Sequence, residues 1–382
     1  MSFRLCFPKI NISGPGSVAD VPAELAARGL KRPLIVTDKV LAEIGLVAPL
    51  VDAMKAEGIE AVVYDGVIPN PTVPVVEEAY AMLRGNACDC IVGVGGGSPI
   101  DTAKAVRILS ANPGPITLYE GVGKVEKEGL FLVAVNTTAG TAAEVTSNAV
   151  ITDPVAQVKM VIIDAKIIPD ISVNDPEMMT GIPAPVTAAT GMDALTHAIE
   201  AYVAKGAHVL TDHAALEAIR LISKYLPRAV ADGKDLEARE MLAYGQFIAG
   251  LAFNSAGLGL VHAMAHQPGA VKDLPHGVCN AILMPVVEEF NRPYAVERFA
   301  RIAEAMGVDT ANMNTEQASK AAVEAIRELA VKVGIPKGFS ELGVTEEDFP
   351  LWVEKAQKDP CAPGNPVAAT DEQILALYRQ AL

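Results

Sequence analysis

Cysteine, histidine, aromatic residues and positive charge are all scarce in this chain of 382 residues, and each shortage excludes something. The five cysteines, at positions 6, 88, 90, 279 and 361, are odd in number and include no C-x-x-C pair. That excludes a disulfide framework or a cysteine zinc finger and fits free thiols in a reducing cytoplasm. Lys and Arg number 31 against 46 Asp and Glu, a formal charge of −15. A nucleic-acid binder needs a basic stripe to neutralise phosphates, and no Lys/Arg run supplies one. Long apolar runs are missing too. Residues 90–95 and 131–135 are strand-length, far short of the ~20 residues of a membrane span. The N-terminal stretch MSFRLCFPKINISGPG places Pro8 and Lys9 where a signal peptide needs an apolar core. The expectation is a cytoplasmic protein with neither nucleic acid nor membrane as partner.

What is present is the balance of a globular protein, 51% hydrophobic and 20% charged, long enough for two or three domains. Up to about residue 165, β-branched runs at 33–37, 60–64, 89–94, 131–136 and 158–164 alternate with helix-patterned segments such as 39–57 and 73–86. Strands alternating with helices predict βαβ units and a parallel sheet covered on both faces. From about residue 185 the pattern turns helical, at 188–204, 212–229, 236–253 and 315–333. The change falls in IPDISVNDPEMMTGIPAP, where Pro169, Pro176, Pro183 and Pro185 cluster. We therefore expect an α/β domain over residues 1–180 and an all-α domain over 181–382. A cleft between domains is the default place for a ligand.

The third predicted strand runs into Gly93-Val94-Gly95-Gly96-Gly97-Ser98-Pro99, and a helix pattern follows from Ile100. Strand, glycines and helix bring backbone N–H groups and a helix N-terminus up to a phosphate, with Ser98 as the natural N-cap. The strict G-x-G-x-x-G spacing is not met, so a phosphate cradle and an ordinary tight turn both stay open. Asp38 ends the first predicted strand, where an acid can accept from an adenosine ribose and favour NAD over NADP; a helix-starting surface Asp is the competing reading. Asn136-Thr137-Thr138-Ala139-Gly140-Thr141 follows the fourth strand and reads either as a phosphate or ribose contact or as a turn capping a helix.

All six histidines lie between His197 and His276. Asp193 and His197 are four apart in a helix-patterned run, which places carboxylate and imidazole on one face. His262 and His266 repeat that spacing, and His276 follows in Leu274-Pro275-His276-Gly277. Three imidazoles and a carboxylate, or a subset leaving one position open, make a catalytic divalent-metal site. A set without thiolate suits Fe²⁺, Zn²⁺, Mn²⁺ or Co²⁺. His208 and His213 flank a helix start near Thr211 and Asp212 and are expected at the surface.

Over nearly its whole length the chain resembles the iron-containing (group III), metal-dependent alcohol dehydrogenases. The carriers are YDGVIPNPT (64–72), GVGGGSPIDTAKA (93–105), NTTAGTAAEVT (136–146), AATGMDALTHAIEAYV (188–203) and GLVHAMAHQPGAVKDLPHGVCNAIL (259–283). It is most similar to the branch holding lactaldehyde reductase and 1,3-propanediol dehydrogenase. The resemblance implies a Rossmann-like α/β domain plus an all-α domain, the dehydroquinate synthase-like fold. It also implies NAD(H), one divalent metal (Fe²⁺ first, Zn²⁺ second) and interconversion of a small primary alcohol or diol with its aldehyde. It places the metal ligands on Asp193, His197, His262 and His276, and a non-ligand proton relay on His266. Cofactor contacts fall on Asp38, Asn70, Gly95, Gly96, Gly97, Ser98, Asp101, Thr137, Thr138, Thr141, Asn148 and Lys159, and the substrate wall on Phe253, Leu258 and Cys361. Relatives of this kind form homodimers or larger homo-oligomers. The alternatives are a glycerol-type polyol substrate and, further off, a lyase of the dehydroquinate synthase type. Where such enzymes read HxLGAFYN or HQLGGxYN, this chain has Pro268 and then Val271-Lys272-Asp273. The loop between His266 and His276 is therefore expected to depart from their shape.

Overall fold

The computed structural model describes residues 3–156 and 158–382. The chain forms two compact units, one from Cys6–Thr138 with Ala142–Met179, the other from Ala139–Thr141 with Thr180–Leu382 and the N-terminal residues up to Leu5.

The first unit carries β1 (Ile10–Ser13), α1 (Val21–Ala27), β2 (Pro33–Asp38), α2 (Lys39–Glu43), α3 (Ala48–Ala56), β3 (Val62–Val67), α4 (Val73–Gly85), β4 (Cys90–Gly95) and α5 (Gly97–Ala111). Then come β5 (Gly121–Val122), β6 (Phe131–Asn136), β7 (Asn148–Asp153), β8 (Val158–Ile163) and β9 (Ile171–Asn174). Six strands make a parallel sheet in the order β1-β9-β6-β4-β2-β3. Its central strands are buried on both faces and so read as near-continuous apolar runs. Ile35, Val92, Val94, Val133 and Val135 face one way, into a core with Leu25, Leu50 and Met54. Leu34, Val36, Ile91 and Leu132 face the other way, onto α4, α5 and the β7–β8 ribbon through Val76, Ala103, Val106 and Ile151. This is the period of two expected of strands.

Three expectations need correction here. The run at 158–164 is not in the parallel sheet; β8 pairs antiparallel with β7 in a separate three-stranded sheet. The proline-rich junction contains a central strand, because β9 pairs with both β1 and β6. Its Ser172 and Asn174 are fully buried, and such polar groups need partners. Ser172 Oγ donates to Asn11 Oδ1 at 2.8 Å, and Asn136 Nδ2 donates to Asn174 Oδ1 at 3.2 Å. The helix expected over 39–57 is two, α2 and α3, separated at Gly45, whose φ of 79° no helical residue can hold.

The second unit is helical, and no strand occurs after Asn174 among the described residues. Its helices are α6 (Ala184–Val203), α7 (Val209–Ala231), α8 (Leu236–Ala256), α9 (Leu260–Lys272), α10 (His276–Asn291), α11 (Val296–Ala305), α12 (Thr315–Lys332), α13 (Phe349–Lys358) and α14 (Asp371–Gln380). Two glycines set the close approaches around α6. A Cβ on Gly191 would collide with Leu226 of α7, and one on Gly277 with the Ala189 carbonyl of α6. The second contact brings the first turn of α10 against the helix that carries Asp193. His208, expected at the surface, is buried: its ring stacks on Phe3 at 4.1 Å, and its backbone N–H donates to Thr211 Oγ1 as the start of α7. His213 is exposed as expected. The segment after His266 is not a loop, since α9 continues through Pro268 to Lys272 and only Asp273–Pro275 connects it to α10. Among the described residues no single helix is long and apolar enough to cross a membrane.

Candidate active site

α6, α9 and α10 each contribute to one polar cluster inside the helical unit. Asp193 Oδ1 stands 3.5 Å from His276 Nε2 and 3.9 Å from His262 Nε2. Donor atoms around a tetrahedral ion with bonds of about 2.1 Å lie roughly 3.4 Å apart, so the spacing fits one divalent ion. These three residues form a group whose ligand atoms all lie within 4.8 Å of one another. His197 is beside this group, not within it. Its ring stacks on His262 at 4.5 Å and on Phe253 at 4.3 Å, and its Nδ1 is buried with no hydrogen-bond partner. A buried imidazole nitrogen without a partner is costly in the absence of a cation to meet it.

Burial pushes His262 well below the ordinary imidazole value, with His197, His276 and His266 adding to it. Burial also lowers His197, against the opposing effects of Asp193 and the Gly140 backbone. Both rings are therefore neutral at pH 7, the state in which imidazole can ligate. The cluster is closed on one side and open on the other. The side chains of Asp193 and His262 are 3% and 2% exposed, that of His276 31%.

Sequence reasoning missed three residues that the structure places here. Asn280, one turn after His276, donates from Nδ2 to Asp193 Oδ1 at 2.6 Å. Glu200, on the α6 face of Asp193 and His197, accepts from Val261 N at 2.7 Å and meets His262 Nδ1 at 2.5 Å. Asp359 meets His266 Nδ1 at 2.8 Å. Burial alone would raise the Asp359 carboxyl, but the charge and hydrogen bond of His266, with the Cys361 bonds, hold it below the usual range. Residue spacing could have marked Glu200 and Asn280, three after His197 and four after His276; Asp359 leaves no such signal. His266 itself stacks on His276 at 5.3 Å, which puts it at the edge of the cluster. Phe253 lies on His197, Cys361 N donates to Asp359 Oδ1 at 2.9 Å, and Gly364 packs on the Leu258 carbonyl. Burial pushes the Cys361 thiol well above its ordinary value, with Asp359 and Glu200 adding to it, so the group is a neutral thiol and not a nucleophile.

In the α/β unit, the carboxyl ends of β2, β4 and β6 lie side by side. From β2 the sheet order runs outward to β3, and from β4 the other way to β6 and β9. That reversal is where open α/β sheets bind ligands. The glycine loop sits there. Gly95 has φ 152°, and a Cβ on it would strike Pro99; a Cβ on Gly96 would come within 3.0 Å of Thr138 Oγ1. Gly96, not Ser98, occupies the N-cap of α5, without a side-chain cap, and Ser98 lies within the first turn. The helix N-terminus is thus left open for an anion. Thr137 N donates to the Gly95 carbonyl at 3.0 Å, joining the two loops. Asp38 caps α2, accepting from Leu41 N at 2.9 Å. Lys159 Nζ donates to Asn70 Oδ1 at 2.7 Å. Asp101 accepts from Val150 N, and burial pushes its carboxyl up to about 6 against the pull of Lys104. Asn148 opens β7, and its carbonyl accepts from Lys104 Nζ at 2.6 Å. Thr141 groups with the helical unit, apart from the others.

A glycine-loop α/β unit and a buried histidine–carboxylate cluster on helices fit a metal-dependent enzyme that uses a dinucleotide, and the comparisons name the family. Residues 8–176 match the iron-containing alcohol dehydrogenase model, and residues 187–382 match the C-terminal model of the Fe-containing alcohol dehydrogenase family. The NAD-dependent methanol dehydrogenase of Bacillus methanolicus is 45% identical over 375 residues, 98% of each chain. The 1,3-propanediol dehydrogenase of Citrobacter freundii is 46% identical over the full length of both chains. A crystal structure of a 1,3-propanediol oxidoreductase superposes with a TM-score of 0.98 at 45% identity, covering 100% of both chains. The chain belongs to the iron-containing alcohol dehydrogenase family, oxidoreductases that act on CH–OH groups.

Proposed function

We propose that this protein is an NAD-dependent, divalent-metal alcohol dehydrogenase that interconverts a small primary alcohol or diol with its aldehyde by hydride transfer. The observation that carries the reading is the spacing of Asp193 Oδ1 from the Nε2 atoms of His276 and His262, 3.5 and 3.9 Å. Asp193, His197, His262 and His276 would hold one Fe²⁺ or Zn²⁺, which supplies Lewis-acid polarisation of the substrate oxygen. The chain's own side chains do the rest. Buried, neutral imidazoles keep water from competing on the closed side, and the half-exposed His276 leaves the side from which a small alcohol enters. Phe253, Leu258 and Cys361 give that entrance an apolar wall, which suits a short carbon chain. Asp359 holds His266 at Nδ1 and so leaves Nε2 to exchange the hydroxyl proton.

NAD(H) would lie on Gly95–Ser98 with its pyrophosphate at the open N-terminus of α5, and Asp38 at the end of β2 would take the adenosine ribose. Asn70, Asp101, Thr137, Thr138, Thr141, Asn148 and Lys159 complete the proposed contacts. The lyase alternative would need free basic groups for a phosphorylated substrate, whereas Lys272 pairs with Asp348 at 2.8 Å and Lys159 with Asn70. The proposal includes a cytoplasmic location, supported by cysteines that form no disulfide among the described residues. It also includes a homodimer, supported by the outer edge of β1 at the margin of the sheet.

The test is NADH formation under anaerobic conditions by protein stripped of metal and reloaded with Fe²⁺ or Zn²⁺. Ethanol, 1,2-propanediol, 1,3-propanediol and glycerol are the substrates. Activity should require metal and fall at least about a hundredfold in Asp193→Ala, with NAD⁺ binding retained. Turnover that survives removal of both metal and Asp193 would refute the reading. Preference for glycerol would move the assignment to the polyol class.

A further inference from the structure

We propose that Glu200 is the positioning residue of the metal centre, fixing the His262 imidazole so that Nε2, and not Nδ1, faces the ion. The inference rests on the metal reading above and adds a residue to it. Glu200 is buried on α6, one turn beyond His197. Its Oε1 accepts from Val261 N at 2.7 Å, and its Oε2 lies 2.5 Å from His262 Nδ1. Burial and neighbouring Glu288 push the Glu200 carboxyl well above its ordinary value, and backbone N–H groups of Gly259, Val261 and His262 oppose that push by donating to it. The side chain therefore does two things at once. It caps the first turn of α9, whose own N-cap, Gly259, offers no side chain. It also takes the Nδ1 proton of the ring that this turn carries. With Nδ1 occupied as a donor, the neutral imidazole has its lone pair on Nε2, the atom that stands 3.9 Å from Asp193 Oδ1.

The geometry leaves little freedom. A Cβ on Gly259 would come within 2.7 Å of Asn365 Oδ1 and 3.0 Å of Glu200 Oε1, so the helix start is packed against both side chains. Asp193 Oδ1 and Asn280 Nδ2 stand against the other nitrogen of this ring, Nε2, at 3.9 and 3.2 Å. A glutamine at 200 could still cap Val261 through its carbonyl oxygen. Its amide would then face Nδ1 as a donor and favour the tautomer with the proton on Nε2, which cannot ligate.

The experiment compares wild-type and Glu200→Gln protein, stripped of metal and titrated with Zn²⁺ against a chromophoric chelator, with Co²⁺ absorption as a second readout. NAD⁺ binding and circular dichroism report the fold. The expected result is affinity about 10–100-fold weaker in Glu200→Gln, with an altered Co²⁺ spectrum and unchanged NAD⁺ binding. Should the variant fail to fold, nitrogen-15 histidine NMR on the wild-type protein with Zn²⁺ reads the tautomer directly, and the His262 proton is expected on Nδ1. A folded variant that binds Zn²⁺ within about threefold of wild type, or a wild-type His262 metallated through Nδ1, overturns the inference while leaving the metal reading intact. A wild-type protein that binds no ion overturns both.

Discussion

Glu288 is fully buried on α10, near enough to Glu200 for its charge to be felt there. Its Oε2 accepts from Asn291 Nδ2 at 3.1 Å, and its Oε1 has no partner. Burial pushes its carboxyl from 4.5 up to about 7. Between those values the folded protein binds more protons than the unfolded chain, so stability falls as pH rises from about 4.5 to 7 and the cost is complete above that. Glu288→Gln keeps the acceptor for Asn291 and removes the charge. It should leave stability near pH 4.5 almost unchanged and raise it at pH 8 by up to roughly 3 kcal/mol. Denaturant unfolding of both proteins at several pH values checks this. A difference that does not grow across the window would show that Glu288 is not the group responsible.

At the scale of elements, α9 shows how a helix survives an internal proline. Pro268 cannot donate to the Met264 carbonyl one turn back, a loss that ordinarily breaks or kinks a helix. The carbonyl is not left bare, because Tyr378 of α14 donates its hydroxyl to it at 2.8 Å. That hydroxyl is held by a ring packed on Phe349 at 5.4 Å and on Trp352. Tyr378→Phe should therefore cost about 1–2 kcal/mol of unfolding free energy, as an orphaned buried carbonyl does. In a Pro268→Ala background the helix can supply its own donor, and the same substitution should cost about 0.5–1 kcal/mol less. Additive costs in a double-mutant cycle would refute the compensation. The same example shows why part of the fold was not legible. Nothing near Pro268 in sequence announces a partner 110 residues later, so the segment read as a loop. Likewise β9 read as a proline-rich junction, because its buried Ser172 and Asn174 look like surface residues until Asn11 and Asn136 are known to meet them. The alternating strands of the main sheet and the helical second half were legible because apolar periodicity is local.

At the scale of the whole molecule, the proposed metal ligands and all the proposed cofactor contacts but Thr141 fall in different compact units, and this separation was readable where the cues were local. Glycines at a strand end and Asp/His pairs four apart on helices are short-range patterns. Spacing on α6 could place Glu200 on the face of Asp193 and His197 but not name its partner, and Asp359 had no cue at all, since they meet His262 and His266 from 62 and 93 residues away. The separation makes a prediction about the intact protein. Each ligand should protect chiefly the unit that holds it, because binding stabilises the native state by RT ln(1 + [L]/Kd), about 2.7 kcal/mol at a hundredfold excess over Kd. In hydrogen exchange followed by mass spectrometry, Zn²⁺ should slow the peptides spanning α6, the start of α9 and the first turns of α10. NAD⁺ should slow those covering Gly93–Asp101 and Asn136–Thr138. Local openings of these segments are what the ligand contacts suppress, so protection by about a hundredfold at the stated excess is the upper bound for each. Zn²⁺ protecting the glycine loop but not α9 would remove the metal from the histidine cluster. NAD⁺ leaving the loop unprotected would remove the pyrophosphate from the N-terminus of α5, whatever activity the enzyme then showed.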